Sequence, residues 1–171
     1  MATFEKNHNS ANSGNGVLIN LILFALSSPI VVVFVLPLFS SQASAKNIEA
    51  KQYTYSMNRA QQAKYAENGS FANSADALGI GIKTETTNYK YLVEATKNAA
   101  FNYAVPKVKG ILGYVGGVFA VPSTEPNAAK NEMVTVAILC EAKTPSIIKP
   151  AHPYLVKRSL VCGDGTEPVK K

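Results

Sequence analysis

The chain has 171 residues, 47% of them hydrophobic, and its 17 Lys and Arg outnumber 11 Asp and Glu to give a formal net charge of +6. The lysines are dispersed, so the charge predicts a solvated surface and argues against a specific nucleic-acid interface. Only two histidines, His8 and His152, accompany the two cysteines, and since no quartet of metal ligands can be drawn, no metal site is expected.

The first segment, residues 1–15, is polar, rich in Asn and Ser and without a periodic apolar pattern, which predicts a disordered leader. An apolar run follows over residues 16–39, and no charged residue lies between Lys6 and Lys46. A stretch of about 20 apolar residues matches a bilayer core of roughly 30 Å. The run therefore predicts a transmembrane helix over residues 16–45.

Small residues after the apolar run allow a second interpretation of it. Ala43 and Ala45 flank Ser44 in a small-x-small arrangement that is typical of a signal-peptidase site. The apolar core is longer than the about 7 to 15 residues usual in a signal peptide, which favours an uncleaved anchor. Both fates, an anchor and a cleaved signal, stay open at this point.

Residues 46–171 have the size of one ordinary domain, which is predicted to begin with an amphipathic helix over residues 46–68. This segment lacks Gly and Pro and is rich in Ala, Gln, Lys and Glu. The Asn68-Gly69 pair is expected to end the helix with a left-handed cap. Joined to the apolar run, it would form one helix of roughly 75 Å.

Four β-rich stretches follow, separated by Gly, Pro and Asn. They cover residues 89–94, 101–108, 113–121 and 132–141. In the last stretch both faces are apolar, which predicts a central strand packed on the helix. Prolines recur from residue 144 onward, so the tail is expected to be an irregular wrap. The expected fold class is α+β, a long N-terminal helix on a roughly four-stranded antiparallel sheet.

The two cysteines, Cys140 and Cys162, lie in the last third of the chain, and the sequence leaves open a disulfide or two thiols. An even number of cysteines downstream of an export signal favours the disulfide. Its closure would tie the tail to the fourth strand and stabilise the fold by about 3 kcal/mol through chain entropy.

Seven short motifs distinguish the predicted domain of residues 46–171. They stand at residues 53–63 (YTYSMNRAQQA), 67–71 (ENGSF), 78–82 (LGIGI), 85–89 (ETTNY), 114–119 (YVGGVF), 137–142 (AILCEA) and 162–169 (CGDGTEPV). Together they resemble the cyanobacterial type IV pilin-like G and H family, over nearly everything from Lys51 to the C terminus. The resemblance implies a pilin-like head that is displayed by polymerisation or membrane anchoring, with no enzyme activity, cofactor or small-molecule substrate.

The resemblance also implies a location and a set of partners. It places a single-pass protein in the inner membrane, with the head periplasmic or extracellular. The charge rule does not favour this orientation, because Lys46 and Lys51 follow the apolar run while Lys6 is balanced by Glu5. The implied partners are the lipid bilayer and other pilins or pseudopilins, which associate through the N-terminal helix, and no specific nucleic acid is expected.

The N-terminal region departs from the pattern of the family. Typical prepilins are cut after a Gly that precedes Phe-Thr-Leu-Ile-Glu, whereas the candidate processing residues here are Asn15, Gly16 and Val17. Depending on the register, Asn20 or Leu21 stands where the assembly glutamate is usual. A neutral Asn gives at most an ordinary hydrogen bond where a carboxylate would face an ammonium, so weakened fibre assembly is expected.

The expected function is structural, as a minor or accessory subunit of a type IV pilus or a secretion pseudopilus. The alternative is a monomeric anchored or secreted binding protein whose pilin-like head does not polymerise. Catalysis is not expected, because His152 has no nucleophile and orienting acid near it in sequence. Asp76 and Asp164 stand in turn-like contexts, where capping of the local backbone is the commoner role.

Overall fold

The computed structural model describes residues 29–170, and side chains from residue 42 onward. The chain divides between Ser41 and Gln42, and the second unit, called the head here, contains the sheet. Within residues 29–170 no helix is long and apolar enough to cross a membrane. The predicted leader and the first part of the predicted transmembrane helix, residues 16–28, lie outside the described residues.

Helix α1 (Pro29–Asn68) supplies one layer of the head through residues 42–68. The predicted helix end is confirmed, because Gly69 adopts a left-handed φ of 65° and its N–H donates to the Tyr65 carbonyl at 2.8 Å. The buried face of the helix repeats at intervals of three and four residues. It consists of Ala50, Thr54, Met57, Asn58, Ala60 and Gln61.

The strands of the head are β1 (Tyr89–Ala95), β2 (Ala99–Pro106), β3 (Tyr114–Pro122), β4 (Met133–Ala142), β5 (Tyr154–Val156), β6 (Ser159–Val161) and β7 (Thr166–Pro168). Five of them form the second layer, an antiparallel sheet in the order β1-β2-β3-β4-β7. A short 3₁₀ helix, Asp76–Leu78, lies in the connection from α1 to β1. The predicted α+β class is confirmed, but the sheet has five strands rather than about four.

The prediction of an irregular wrap for the tail is wrong in part, because the tail contains three short strands. β5 and β6 form a separate two-stranded hairpin, and β7 joins the main sheet beside β4. The hairpin turn holds Lys157 and Arg158 at positive φ, without the Gly or Asn that usually marks such a turn. Pro168 ends β7 at the margin of the sheet, where a missing backbone N–H is tolerated.

Two adjacent glycines of β3 allow close packing on both faces of the sheet. A Cβ at Gly116 would overlap the Asn58 side chain, with the Asn58 Cγ at 2.6 Å. A Cβ at Gly117 would lie 2.5 Å from the Pro153 Cγ. The sheet is therefore a middle layer, with α1 on the face of Gly116 and the tail on the face of Gly117.

The predicted central position of the fourth strand is wrong for most of its length. β4 pairs with β3 from Met133 to Glu141, whereas β7 pairs with β4 only from Cys140 to Ala142. Local alternation cannot show which strand becomes a neighbour of which, so this arrangement was not readable from the pattern.

Candidate functional site

A buried network of amides joins α1 to the sheet. The Asn58 Nδ2 donates to the Ile138 carbonyl at 2.9 Å, and the Asn102 Nδ2 donates to the Asn58 Oδ1 at 2.8 Å. Gln61 donates to the Ala72 carbonyl and accepts from the Ala72 N–H, both at 2.9 Å. No buried side-chain N or O in the described part of the chain lacks a partner. The network therefore fixes the register of the helix on the sheet.

A second set of polar contacts lies near the start of the head. The Asn47 Oδ1 accepts from the Leu112 N–H at 3.0 Å and from the Tyr89 hydroxyl at 3.2 Å. The Tyr91 hydroxyl donates to the Glu49 Oε1 at 3.4 Å. These bonds hold the first turns of the head part of α1 against β1 and the loop before β3.

The disulfide fastens the tail to the end of β4. Cys140 and Cys162 are bonded with their Cα atoms 5.8 Å apart, which confirms the predicted pairing. β7 pairs with β4 at the same place, and the Val169 N–H donates to the Leu139 carbonyl at 3.0 Å. A covalent bond and a short ladder thus hold the same end of the tail.

A groove runs between the exposed side of α1 and β4, with a volume of about 530 Å³. Its walls are Tyr55, Asn58, Arg59 and Gln62 of α1, residues 135–139 of β4 and Leu160. A second hollow of about 320 Å³ shares Thr135 and is lined by Tyr65, Ala66, Met133 and Val134. The helix therefore leaves part of its own side of β4 uncovered, where a partner could bind.

Comparison with known families identifies the head. The family model of the type IV pilin-like G and H proteins matches residues 47–163, which is more than half of the chain. The chain belongs to this family. The match begins at Asn47, the residue that makes the first polar contacts between α1 and the loop before β3. No curated protein and no solved structure shows significant similarity to this type IV pilin-like chain.

The predicted site residues of this pilin-like protein fall in two places. Asn15, Gly16, Val17, Asn20 and Leu21 lie outside the described residues, so their roles stay predictions. The alternative signal site lies on α1, where Ala43 packs against the core of the head and Ala45 is exposed.

The residues considered for catalysis have structural positions in the pilin-like head. The His152 ring packs on the Phe101 ring with centroids 4.8 Å apart, and Asp76 begins the 3₁₀ helix. Within residues 29–170 no three His, Cys, Asp or Glu side chains come together as metal ligands.

Sequence reasoning missed the amide network of the head. Asn58 and Gln61 lie on the same helical face as Thr54 and Met57, yet polar side chains in a helix are usually assigned to the solvent face. The available signal was spacing, because positions 50, 54, 57, 58 and 61 share one face whatever their polarity.

The buried tyrosines of the head provide a pH prediction. Burial raises the pKa of Tyr114 to about 12, and burial also raises the pKa of Tyr89, Tyr91 and Tyr103. A phenol with a raised folded-state pKa contributes stability that is complete below pH 10 and is lost as the pH rises toward the folded-state pKa.

We expect the tyrosinate absorbance that appears up to pH 11 to be clearly smaller in the folded chain than in the urea-unfolded chain. The rest should appear in one cooperative step with unfolding at higher pH. Equal titration curves for the folded and unfolded chain would contradict the burial of these four hydroxyls.

Proposed function

We propose that this type IV pilin-like protein is a membrane-anchored, non-enzymatic subunit that has a minor or accessory place in a type IV pilus or a secretion pseudopilus. The apolar run would hold the chain in the inner membrane, and the head would be displayed on the periplasmic or extracellular side. Association with other pilins would occur between the apolar parts of the N-terminal helices.

The observation that carries this proposal is the extent of α1 along the chain. The helix that packs into the head begins at Pro29, within the uncharged run of residues 16–39. A single element therefore contains both the end of the predicted anchor and the first layer of a pilin-like head.

The position of Ala43 supports an anchor rather than a cleaved signal. A cut after Ala45 would remove Ala43, which packs against the core cluster of the head, and would place the new N terminus inside the helix. Asn47 and Glu49, which bond to the sheet side of the head, would then lie within the first four residues of the mature chain.

The absence of a carboxylate at Asn20 or Leu21 favours a second candidate function. A chain that lacks the usual ion pair at the base of the helix would stay an anchored monomer, whose head binds a partner without polymerising. The two candidates agree on the anchor and differ in whether the protein enters filaments.

N-terminal sequencing of the mature chain, isolated from the membrane fraction, tests the proposal. A start at Gly16 or Val17 is expected for pilin processing, and recovery in sheared filaments would then separate the subunit from the monomeric binding protein. A start at Met1 would indicate a plain anchor and favour the second candidate. A start at Lys46 in the soluble fraction would defeat both anchored forms.

A further inference from the structure

The two outer edges of the five-stranded sheet differ in their protection. At the β1 edge, the Tyr91 N–H donates to the Thr84 carbonyl and the Thr86 N–H donates to the Tyr89 carbonyl, both at 2.8 Å. β1 also carries a charged residue, Lys90, on its exposed face. Covering segments and charges are the usual means by which proteins prevent an edge strand from pairing with another chain.

The β4 edge has no charge, no proline and no paired strand over residues 133–138, which are called the open β4 segment here. Its sequence is MVTVAI, and its pairing with β3 is continuous, without a bulge. The Leu139 carbonyl, which comes next, already accepts from the Val169 N–H, and β6 lies near β4 without pairing with it. In the part of the chain that the structure describes, no strand pairs with its outer side. Met133 and Val134 are 40% and 38% exposed.

The phase of the ladder shows which backbone groups face outward. The Ala142 N–H donates to the Gly113 carbonyl at 2.8 Å, and hydrogen-bonded pairs recur at every second residue of an antiparallel ladder. The even-numbered residues of β4 therefore bond to β3. The residues that direct their N–H and C=O groups away from β3 are Met133, Thr135 and Ala137.

We propose that the open β4 segment pairs antiparallel with the same segment of a second copy, with Thr135 on the two-fold axis. A self-pairing of this kind must match outward-facing residues with outward-facing residues. Centring on Thr135 does so for all three, since Met133 then lies opposite the partner's Ala137. A register slip of one residue, which pairs Thr135 with the partner's Val136, would place inward-facing groups opposite outward-facing ones.

The side chains of the segment favour a second copy over a charged peptide as the occupant. Thr135 would lie opposite the partner's Thr135, and Val134 would lie opposite the partner's Val136. No like charges would therefore meet between the two strands. The partner's Met133 would enter the groove beside Ala137, on the face lined by Arg59 and Gln62. The groove is thus the space that the partner's Met133 side chain would fill.

The two-fold axis also sets the direction of the pair. Rotation by 180° about an axis perpendicular to the sheet reverses the head part of α1, so the two helices run in opposite directions. The pairing would therefore join heads that point toward each other from two facing membrane surfaces or from two neighbouring filaments. It would not join heads that stand side by side in one membrane. It goes beyond the proposed function, because it concerns contacts between heads and needs no contact between apolar helices.

Cysteine cross-linking of the full chain in detergent micelles tests the pairing. The two native cysteines are bonded to each other, so an introduced cysteine is the one free thiol. In Thr135→Cys the two copies would have Cα atoms about 5.5 Å apart, within the range of a disulfide. In Ala137→Cys they would be separated by four residues, about 13 Å.

We expect Thr135→Cys to form a disulfide-linked dimer about tenfold faster than Ala137→Cys. An equimolar mixture of Met133→Cys and Ala137→Cys should form mixed dimers as fast as Thr135→Cys forms its own. Equal rates for Thr135→Cys and Ala137→Cys, or no dimer from Thr135→Cys, would overturn the proposal. N-terminal processing and recovery in filaments are separate measurements, so failure here leaves the proposed function standing.

A proline variant gives a second measurement on the same protein. Ala137→Pro removes an N–H that faces away from β3, so it leaves the ladder between β3 and β4 intact. Added to Thr135→Cys, it is expected to abolish dimer formation while the Cys140–Cys162 bond and the tyrosine circular dichroism are retained. Undiminished cross-linking in this folded double variant would contradict a backbone pairing at the open β4 segment.

Discussion

Gly116→Ala is expected to destabilise the head by about 3 kcal/mol. The new Cβ would overlap the amide of Asn58, and inserting a methyl group into a packed interior costs about 1–3 kcal/mol. If Asn58 moves away, it also leaves Asn102 without its buried partner, which costs about 1–3 kcal/mol more. Urea unfolding of the chain in micelles, followed by tyrosine circular dichroism because the chain has no Trp, measures the change.

Asn58→Ala supplies the matched control for this prediction. It removes the side chain that the methyl group would meet, at the cost of the hydrogen bonds to Ile138 and Asn102. In the Asn58→Ala background the further cost of Gly116→Ala should therefore fall to less than half. A cost of Gly116→Ala that is the same in both backgrounds would show that the contact between helix and sheet does not determine the need for glycine.

The elements with strong local signals were predictable from the sequence. The end of α1 at Gly69 follows from a backbone conformation that glycine adopts without strain. The β-rich stretches between Gly, Pro and Asn placed β1 to β4 to within about two residues. These features depend on neighbours in the chain, so the sequence contains them directly.

The features that were missed depend on tertiary contacts. The strands of the tail are three residues long, which is too short for an alternation of period two to be distinguished from chance. The pairing of Asn58 with Asn102 joins residues 44 positions apart, and neither position carries a local sign of burial. The open β4 segment has two apolar faces like a central strand, and only the short overlap with β7 shows that its outer side is unpaired.

The disulfide should have the second large effect on stability. Replacing both cysteines, as Cys140→Ala with Cys162→Ala, removes a cross-link across a separation of 22 residues and should cost about 3 kcal/mol through the entropy of the unfolded chain. The loss should be uneven, because β7 pairs with β4 over a short ladder next to this bond, whereas β1, β2 and β3 form long ladders with one another.

Amide hydrogen exchange can locate this loss. The Val169 and Thr166 amides should exchange faster in the double variant by a larger factor than amides of β2, and reduction of the native disulfide should give the same pattern. Uniform acceleration over the sheet would contradict a role confined to the tail. A released β7 would also uncover β4 from Cys140 to Ala142 and lengthen the open β4 segment, so the disulfide limits how much of this edge another chain could reach.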